Sequence, residues 1–274
     1  MSKSYVSKLL KENGYEWLPK RQTRVYSKED RDERVRWAKA TLRLSIRELK
    51  KKLSLCMDGT IIAMPPTNPT DRLNYCRHGD SCIYRKRTES FKDELADDSS
   101  YSNQTPLSRA IPLWGGCSEN GFAIVAIHRR KKFNGKEWAK VVEQGKLTAA
   151  IQTLQPVEPE GPWHVLCDNE SFLDTNLADR QHRAAGVTLW HVPPRSPDLN
   201  PVERYWSWLK KHLRAMDLRD AVARRPPLSK MAYAMRVRQV CKSKKAQQVA
   251  ANQAKLMRRV CKKVIKEKGR ATGF

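Results

Sequence analysis

Short apolar runs that suit strands alternate with helix-periodic stretches along most of this chain. Near the amino terminus, Tyr5, Leu9 and Leu10 share one side of a helix predicted over residues 2–13, with Gly14 as its stop. Lys3, Lys8 and Lys11 lie off that stripe. An irregular basic stretch over 15–26, with Lys20, Arg21 and Arg24, leads to Ser27, an N-cap with Asp30 three residues later. The helix it opens is predicted over 28–42, with Val35, Trp37 and Ala38 as buried positions. Leu53-Ser-Leu-Cys-Met57 predicts a strand ending at Asp58, and residues 61–64 extend it or pair beside it. Residues 67–112 are polar and turn-rich, with Ile83-Tyr84 as their best strand candidate. The clearest buried strand is 121–128, followed by a helix over 135–154. A strand over 163–167 ends at Asp168, a helix covers 172–185, and 187–191 is a further short strand. A last core helix starts near Val202, with Val202, Trp206, Leu209 and Leu213 on one face. Strands followed by crossover helices give an α/β layer fold.

Charge changes the picture by its placement. The chain of 274 residues carries 54 Lys and Arg against 29 Asp and Glu, a net +25. Residues 1–52 hold 16 basic and 7 acidic side chains, residues 217–274 hold 17 and 3, and residues 53–216 hold 21 and 19. This divides the chain into a basic amino-terminal arm (1–52), a near-neutral body (53–216) and a basic, mostly helical tail (217–274). Basic arms release counterions on meeting phosphates, so nucleic acid is the expected partner. Plain solubility and attraction to anionic membranes are the alternatives. No apolar run reaches the length of a membrane span, and residues 1–20 lack the apolar segment of a signal peptide, so an intracellular protein is expected. Seven cysteines, an odd number, do not resemble a disulfide framework. Cys76, His78 and Cys82 fall short of the four paired ligands of a zinc site.

The candidate chemistry lies in acids. Asp58 and Asp168 each follow an apolar strand, where open α/β sheets place their active sites. Side by side, two carboxylates repel unless a cation lies between them, which suits the hard ions Mg²⁺ or Mn²⁺. A third acid, Glu203, stands in Pro193-Pro-Arg-Ser-Pro-Asp-Leu-Asn-Pro-Val-Glu-Arg-Tyr-Trp206. Asn200, Pro201 and Glu203 have the spacing of a capping box, so a purely structural role competes with metal binding. Glu170, Asp174 and Asp198 lack the strand-end setting and read as solvated or capping residues.

The segment around Glu203 resembles the third-acid motif of the Tc1/mariner/IS630 superfamily of transposases. The 34 residues between Asp168 and Glu203 match that superfamily's Asp-Asp-34-Glu class, and Asp168-Asn169 resembles its second-acid motif. Residues 4–15 resemble the last helix of its second helix-turn-helix, followed by a basic linker. The resemblance implies an RNase H-like α/β core, between a helical basic helix-turn-helix remnant and a helical basic tail. It implies a catalytic triad of Asp58, Asp168 and Glu203 holding two Mg²⁺ or Mn²⁺ ions, with element ends and target DNA as substrates. It admits a homodimer, and nuclear localisation in a eukaryotic host. Lys3, Lys8, Lys11, Lys20, Arg21, Arg24, Arg85 and Lys86 are the candidate DNA contacts. The pattern departs at Gly59, where many relatives carry glutamate, and at Leu173, where many carry histidine. By the same resemblance the chain begins inside the DNA-binding region. The rival reading is a transposase-derived DNA-binding protein without activity. Another RNase H-like nuclease ranks next, and a structural chromatin protein last.

Overall fold

The computed structural model describes residues 3–19, 26–78, 82–86, 105–128, 133–155 and 161–272. In chain order its elements begin α1 (Lys3–Glu12), β1 (Glu16–Pro19), α2 (Lys28–Arg43), α3 (Ile46–Lys52), β2 (Leu55–Ala63), α4 (Pro69–His78) and β3 (Cys82–Arg85). Then come β4 (Ala110–Ser118), β5 (Gly121–Ile127), α5 (Gly135–Glu143), α6 (Lys146–Leu154), β6 (Trp163–Cys167), α7 (Asn176–Ala184) and β7 (Val187–His191). Four helices close the chain: α8 (Pro201–Val222), α9 (Lys230–Lys242), α10 (Lys244–Lys255) and α11 (Met257–Lys266).

Two compact units divide these elements. The smaller comprises Met1–Val25, Pro65–Thr105 and Arg214–Pro227. In it β1 pairs antiparallel with β3, and Arg72 of α4 donates to the Arg225 carbonyl at 2.6 Å. The larger unit holds a five-stranded sheet in the order β5-β4-β2-β6-β7. β2, β4 and β5 are antiparallel, whereas β6 runs parallel to both β2 and β7. A parallel pair requires a crossover, and the helices between β5 and β7 supply it.

Alternation along β2 explains the two-sided core. Leu55 and Met57 join a cluster with Trp114, Trp138, Val142, Ile151 and Val165, covered by α5, α6 and α7. Cys56 and Asp58, one residue out of phase, face the opposite side, where Cys56 lies near Arg204 of α8. There Phe122 stacks on Tyr205 at 4.2 Å between ring centroids, and Trp206 meets Phe122 edge-on. The predicted apolar face of α8 is buried at all four of its positions.

Several expectations are corrected. The helix predicted over 135–154 is two helices, because Gly145 adopts a left-handed φ of 69° between them. The helix expected from 172 starts at Asn176, where Thr175 caps it by accepting from the Ala178 amide. A full strand, β4, begins in the last three residues of the stretch taken as polar and turn-rich up to Pro112 and runs on to Ser118, and all nine of its positions are buried. The basic arm contains a further helix, α3, opened by a Ser45–Glu48 capping box. In α2 the capping box at Ser27 and Asp30 is present, but Arg34, Ala38 and Thr41 form the buried side, with Val35 and Trp37 only half-buried.

Candidate active site

Asp58 and Asp168 reach the site on adjacent parallel strands. Leu55 pairs with Val165 and Cys56 with Leu166, and two further steps of that register bring Asp58 beside Asp168. β2 runs on past Asp58 to Ala63, so residues 61–63 extend the strand rather than pair beside it, because Gly59 to Ala63 pair with Trp114 to Ala110 of β4. Asp58 therefore sits in mid-strand with its backbone fixed, and its side chain is 9% exposed. The glycine after it has a local cause. A Cβ on Gly59 would come within 2.4 Å of the Trp114 indole, so no larger residue fits there unless that ring moves.

Glu203 lies in the first turn of α8, and the residue that ties this turn to both strands is Asn200. Its side-chain amide donates to the Met57 carbonyl and to Asp168 Oδ1, each at 3.1 Å, and Asn200 is fully buried. Its own carbonyl accepts from the Glu203 amide at 3.2 Å. One residue thus joins the β2 backbone next to Asp58, the carboxylate of Asp168 and the helix start that carries Glu203. The sequence suggested only a cap for Asn200. The signal that could have found the bridge is the placement of an amide three residues before the third acid, beside two strand-end acids.

The electrostatics are those of a carboxylate cluster. Burial pushes the Asp58 carboxyl well above the usual carboxylate range, and the negative charges of Glu203 and then Asp168 push it further. A hydrogen bond from the Gly59 backbone opposes this, and Glu170 adds to it. Glu203 and Asp168 are both near enough to act on Asp58. Among the described residues, though, no group of three or more His, Cys, Asp or Glu is placed so that it could hold a metal ion. The donor set is all oxygen, the chemistry that suits Mg²⁺ or Mn²⁺ rather than a thiolate-seeking metal. A divalent cation would also relieve the repulsion that raises Asp58.

The neighbouring groups are structural. Cys167 Sγ lies 3.7 Å from His191 Nδ1, and His191 Nε2 lies 3.2 Å from Asp174 Oδ1. This resembles a nucleophile–base–acid row, but burial and then the charge of Asp168 push the Cys167 thiol far upward, which disfavours a thiolate. Asn169 donates to the Val192 carbonyl at 2.8 Å and holds the loop after β6 against the end of β7. Asp198, expected to be solvated or capping, is instead clamped by Arg34. The two guanidinium nitrogens sit 2.8 and 2.7 Å from its two oxygens.

The candidate DNA contacts fall in the smaller unit. Lys8 is exposed and 3.9 Å from Glu12, and Lys11 is exposed on the same helix. The Lys86 ammonium lies 5.1 Å from the centre of the Tyr15 ring. Lys3 and Arg85 belong to α1 and β3 by their backbone, whereas Lys20, Arg21 and Arg24 lie outside the described residues. The six described cysteines are buried free thiols, and no described helix is long and apolar enough to cross a membrane.

Comparison with known proteins bears on this geometry. A family described as DDE superfamily endonuclease matches residues 83–222, just over half of the chain, a span that includes Asp168 and Glu203 and begins after Asp58. Among solved structures, the Mos1 mariner paired end complex with Mn is similar with a TM-score of 0.61 at 13% identity, over 99% of this chain and 72% of that one. The catalytic domain of Mos1 mariner transposase is similar with a TM-score of 0.58 at 11% identity, over 93% of this chain and 99% of that one. The pre-cleavage Mos1 transpososome gives 0.59 at 13% identity, over 99% and 72%. At such identities the likeness is one of fold, and that fold is RNase H-like, as the third-acid motif led us to expect. No curated protein matches in sequence.

Proposed function

The chain belongs to the DDE superfamily endonucleases, and on that footing we propose that it is a transposase that cuts double-stranded DNA and joins the freed end to a target. The observation that carries this reading is the Asn200 bridge, which joins Asp168 to the β2 backbone beside Asp58 at the start of the helix that carries Glu203, with Glu203 and Asp168 both near enough to act on Asp58. In this reading the three carboxylates would hold Mg²⁺ or Mn²⁺, whose Lewis acidity would ready a water for attack and steady the leaving 3′ oxygen. Asp58, fixed in mid-strand, gives the site a point that does not move. Asn200 orients Asp168 against it, and the first turn of α8 brings Glu203 to the same side. Water replaces the 3′ oxygen on a DNA phosphorus, leaving a 5′ phosphate and a 3′ hydroxyl. That hydroxyl then displaces a 3′ oxygen in target DNA, so one arrangement of acids serves two in-line displacements.

The solved relatives of this fold include a paired end complex and a transpososome, which supports DNA as the partner and a homodimer as the working form. In a eukaryotic host the chain acts in the nucleus. A DNA-binding descendant that has lost the chemistry is the rival, and metal-dependent nicking separates the two. Supercoiled plasmid with Mg²⁺ or Mn²⁺ is expected to be nicked by the wild-type chain and left intact by Asp168→Asn. Equal nicking by both proteins would remove the proposal.

A further inference from the structure

The basic tail is not a loose appendage: α9, α10 and α11 belong to the larger unit. α11 packs antiparallel to α2 and is fastened at both ends. Arg258 donates to the carbonyls of Leu44 and Leu42 at the end of α2, at 2.9 and 3.2 Å. At the other end, Arg34 near the start of α2 donates to the Gly269 carbonyl at 2.9 Å, and Thr272 donates its hydroxyl to Asp198 at 2.8 Å. Met257, Val260, Cys261 and Val264 form the buried side of α11.

The opposite side is cationic. Arg259, Lys262 and Lys266 are exposed at steps of three and four residues along α11, and Lys255, the last residue of α10, is exposed just before them. That spacing holds Arg259, Lys262 and Lys266 on one face of α11, along a ridge of about 10 Å at the usual rise per residue. The outward face of α2 is a built-in control. There Arg36, Lys39 and Arg43 share the surface with Asp32 and Glu33, the mixed signs of an ordinary solvated helix. From Leu228 to Phe274 the chain carries 14 basic residues and one acid, Glu267. Solubility alone does not call for a face of one sign on a helix held this rigidly.

We propose that the α11 ridge is a docking surface for the phosphate backbone of duplex DNA, separate from the acid cluster. The inference rests on the reading of the chain as a DNA-acting protein and adds a place where the duplex is held. The ridge helix is bonded, through Thr272 and Arg34, to Asp198 in the segment that leads into Glu203. Duplex on the ridge is therefore gripped by an element tied to the catalytic turn. Lysines and arginines on one face grip phosphates without reading bases, so the ridge positions DNA and confers no sequence preference.

The test compares wild type with a variant in which Lys255, Arg259, Lys262 and Lys266 are all changed to Gln. A matched control carries Arg36→Gln, Lys39→Gln and Arg43→Gln. Binding to a random-sequence duplex is measured across a salt series. The slope of log affinity against log salt is expected to fall by about 2–4 in the ridge variant, near 0.9 for each phosphate that is no longer neutralised, and by less than half as much in the control. Thermal melting confirms folding, and the single variant Lys262→Glu, expected to weaken binding alone, serves if the quadruple variant does not fold. An unchanged slope overturns the proposal, as does an equal fall in the control. It is also overturned if the ridge substitutions weaken binding to phosphatidylserine vesicles and leave duplex binding intact. Plasmid nicking is scored in parallel: a fallen slope with no nicking by either protein supports the ridge while removing the catalytic reading.

Discussion

Asp58 is a buried carboxylate of the larger unit and Asp198 a largely buried one, and the chain treats them in opposite ways. Burial would raise Asp198, but hydrogen bonds and charge from Arg34, with hydrogen bonds from Thr272, overcome it and hold the carboxyl below its usual range. Arg34 itself is fully buried, so the pair is a dry, two-pronged contact between α2 and the segment before α8. At Asp58 the strongest influences after burial are two further negative charges, and what favours its anion most is a backbone amide. The same chain therefore supplies a cation where a carboxylate is structural, and supplies carboxylates where another carboxylate is already crowded. An arrangement of the second kind is costly to folding and becomes favourable once a cation arrives from outside the chain. That contrast distinguishes a site from a staple more firmly than the spacing of the acids does.

The largest expected effects are reciprocal. Asp58→Asn should abolish Mg²⁺-dependent nicking while leaving stability unchanged or raised by about 0.5–2 kcal/mol, since it removes a buried repulsion. Asp198→Asn should destabilise the fold by about 3–5 kcal/mol, because Arg34 is left buried without its counter-charge. Denaturant unfolding read beside plasmid nicking checks both. A strongly destabilised Asp58→Asn would show that Asp58 is a structural residue like Asp198, and the distinction would fail.

Divalent binding supplies a readout that needs no catalysis. Mg²⁺ or Mn²⁺ that binds only the folded chain stabilises it, by about 2.7 kcal/mol at one hundred times its dissociation constant. The melting temperature of the wild type should rise with added ion and return on chelation. In Asp58→Asn the rise should be much reduced, and in a partly destabilised variant of the Arg34–Asp198 pair it should persist. Asn200 gives a smaller effect of the same kind. Asn200→Ala removes the bridge from Asp168 to the β2 backbone and should lower nicking about 10–100-fold, as removing the partners of metal ligands commonly does. Its midpoint for Mg²⁺ should move to higher concentration, a shift that a fall in stability alone would not produce.

The parts of this site visible in the sequence were those written locally. Strands that deliver Asp58 and Asp168, a helix with Val202, Trp206, Leu209 and Leu213 on one face, and the capping box at Ser27 all follow from patterns within a few residues. What escaped depends on partners far apart in sequence. Asp198 and Arg34 are 164 positions apart, so neither could be recognised as buried. Asn200 resembled a cap because its other partners, Met57 and Asp168, meet it only in the folded chain. β4 escaped for a different reason. It contains Pro112, Gly115 and Gly116, ordinarily signs of a break, yet a Cβ on Gly116 would strike the Cys56 carbonyl at 2.7 Å, so glycine is what close strand approach requires.

His182 shows a third way to bury an ionisable group, and the smallest of the expected effects. Trp138 donates its indole N–H to His182 Nε2 at 2.9 Å, which requires that nitrogen to be an unprotonated acceptor. Burial lowers the His182 pKa below its usual 6.5, and the charges of Asp179 and Asp174 only partly oppose it. The unfolded chain therefore takes up the proton first as pH falls. The stabilisation is complete above pH 6.5, declines below it, and levels off once the folded histidine also protonates. Each unit of depression is worth about 1.4 kcal/mol, so the melting temperature should drop gently as pH is lowered from 7 towards 5. His164, also lowered by burial, contributes to the same window. His182→Gln keeps an acceptor for Trp138 and should flatten part of this decline. The loss of the Asp198 clamp has the same sign and a separate window: its depressed carboxyl holds full stabilisation above 3.8 and yields it only as pH falls further. Stability measured from pH 7 to pH 2 should thus show two steps, the upper one weakened by His182→Gln and the lower one removed with Asp198. A single step at low pH, unaltered by His182→Gln, would show that the Trp138 contact tolerates a charged ring and that His182 is not held neutral by its burial.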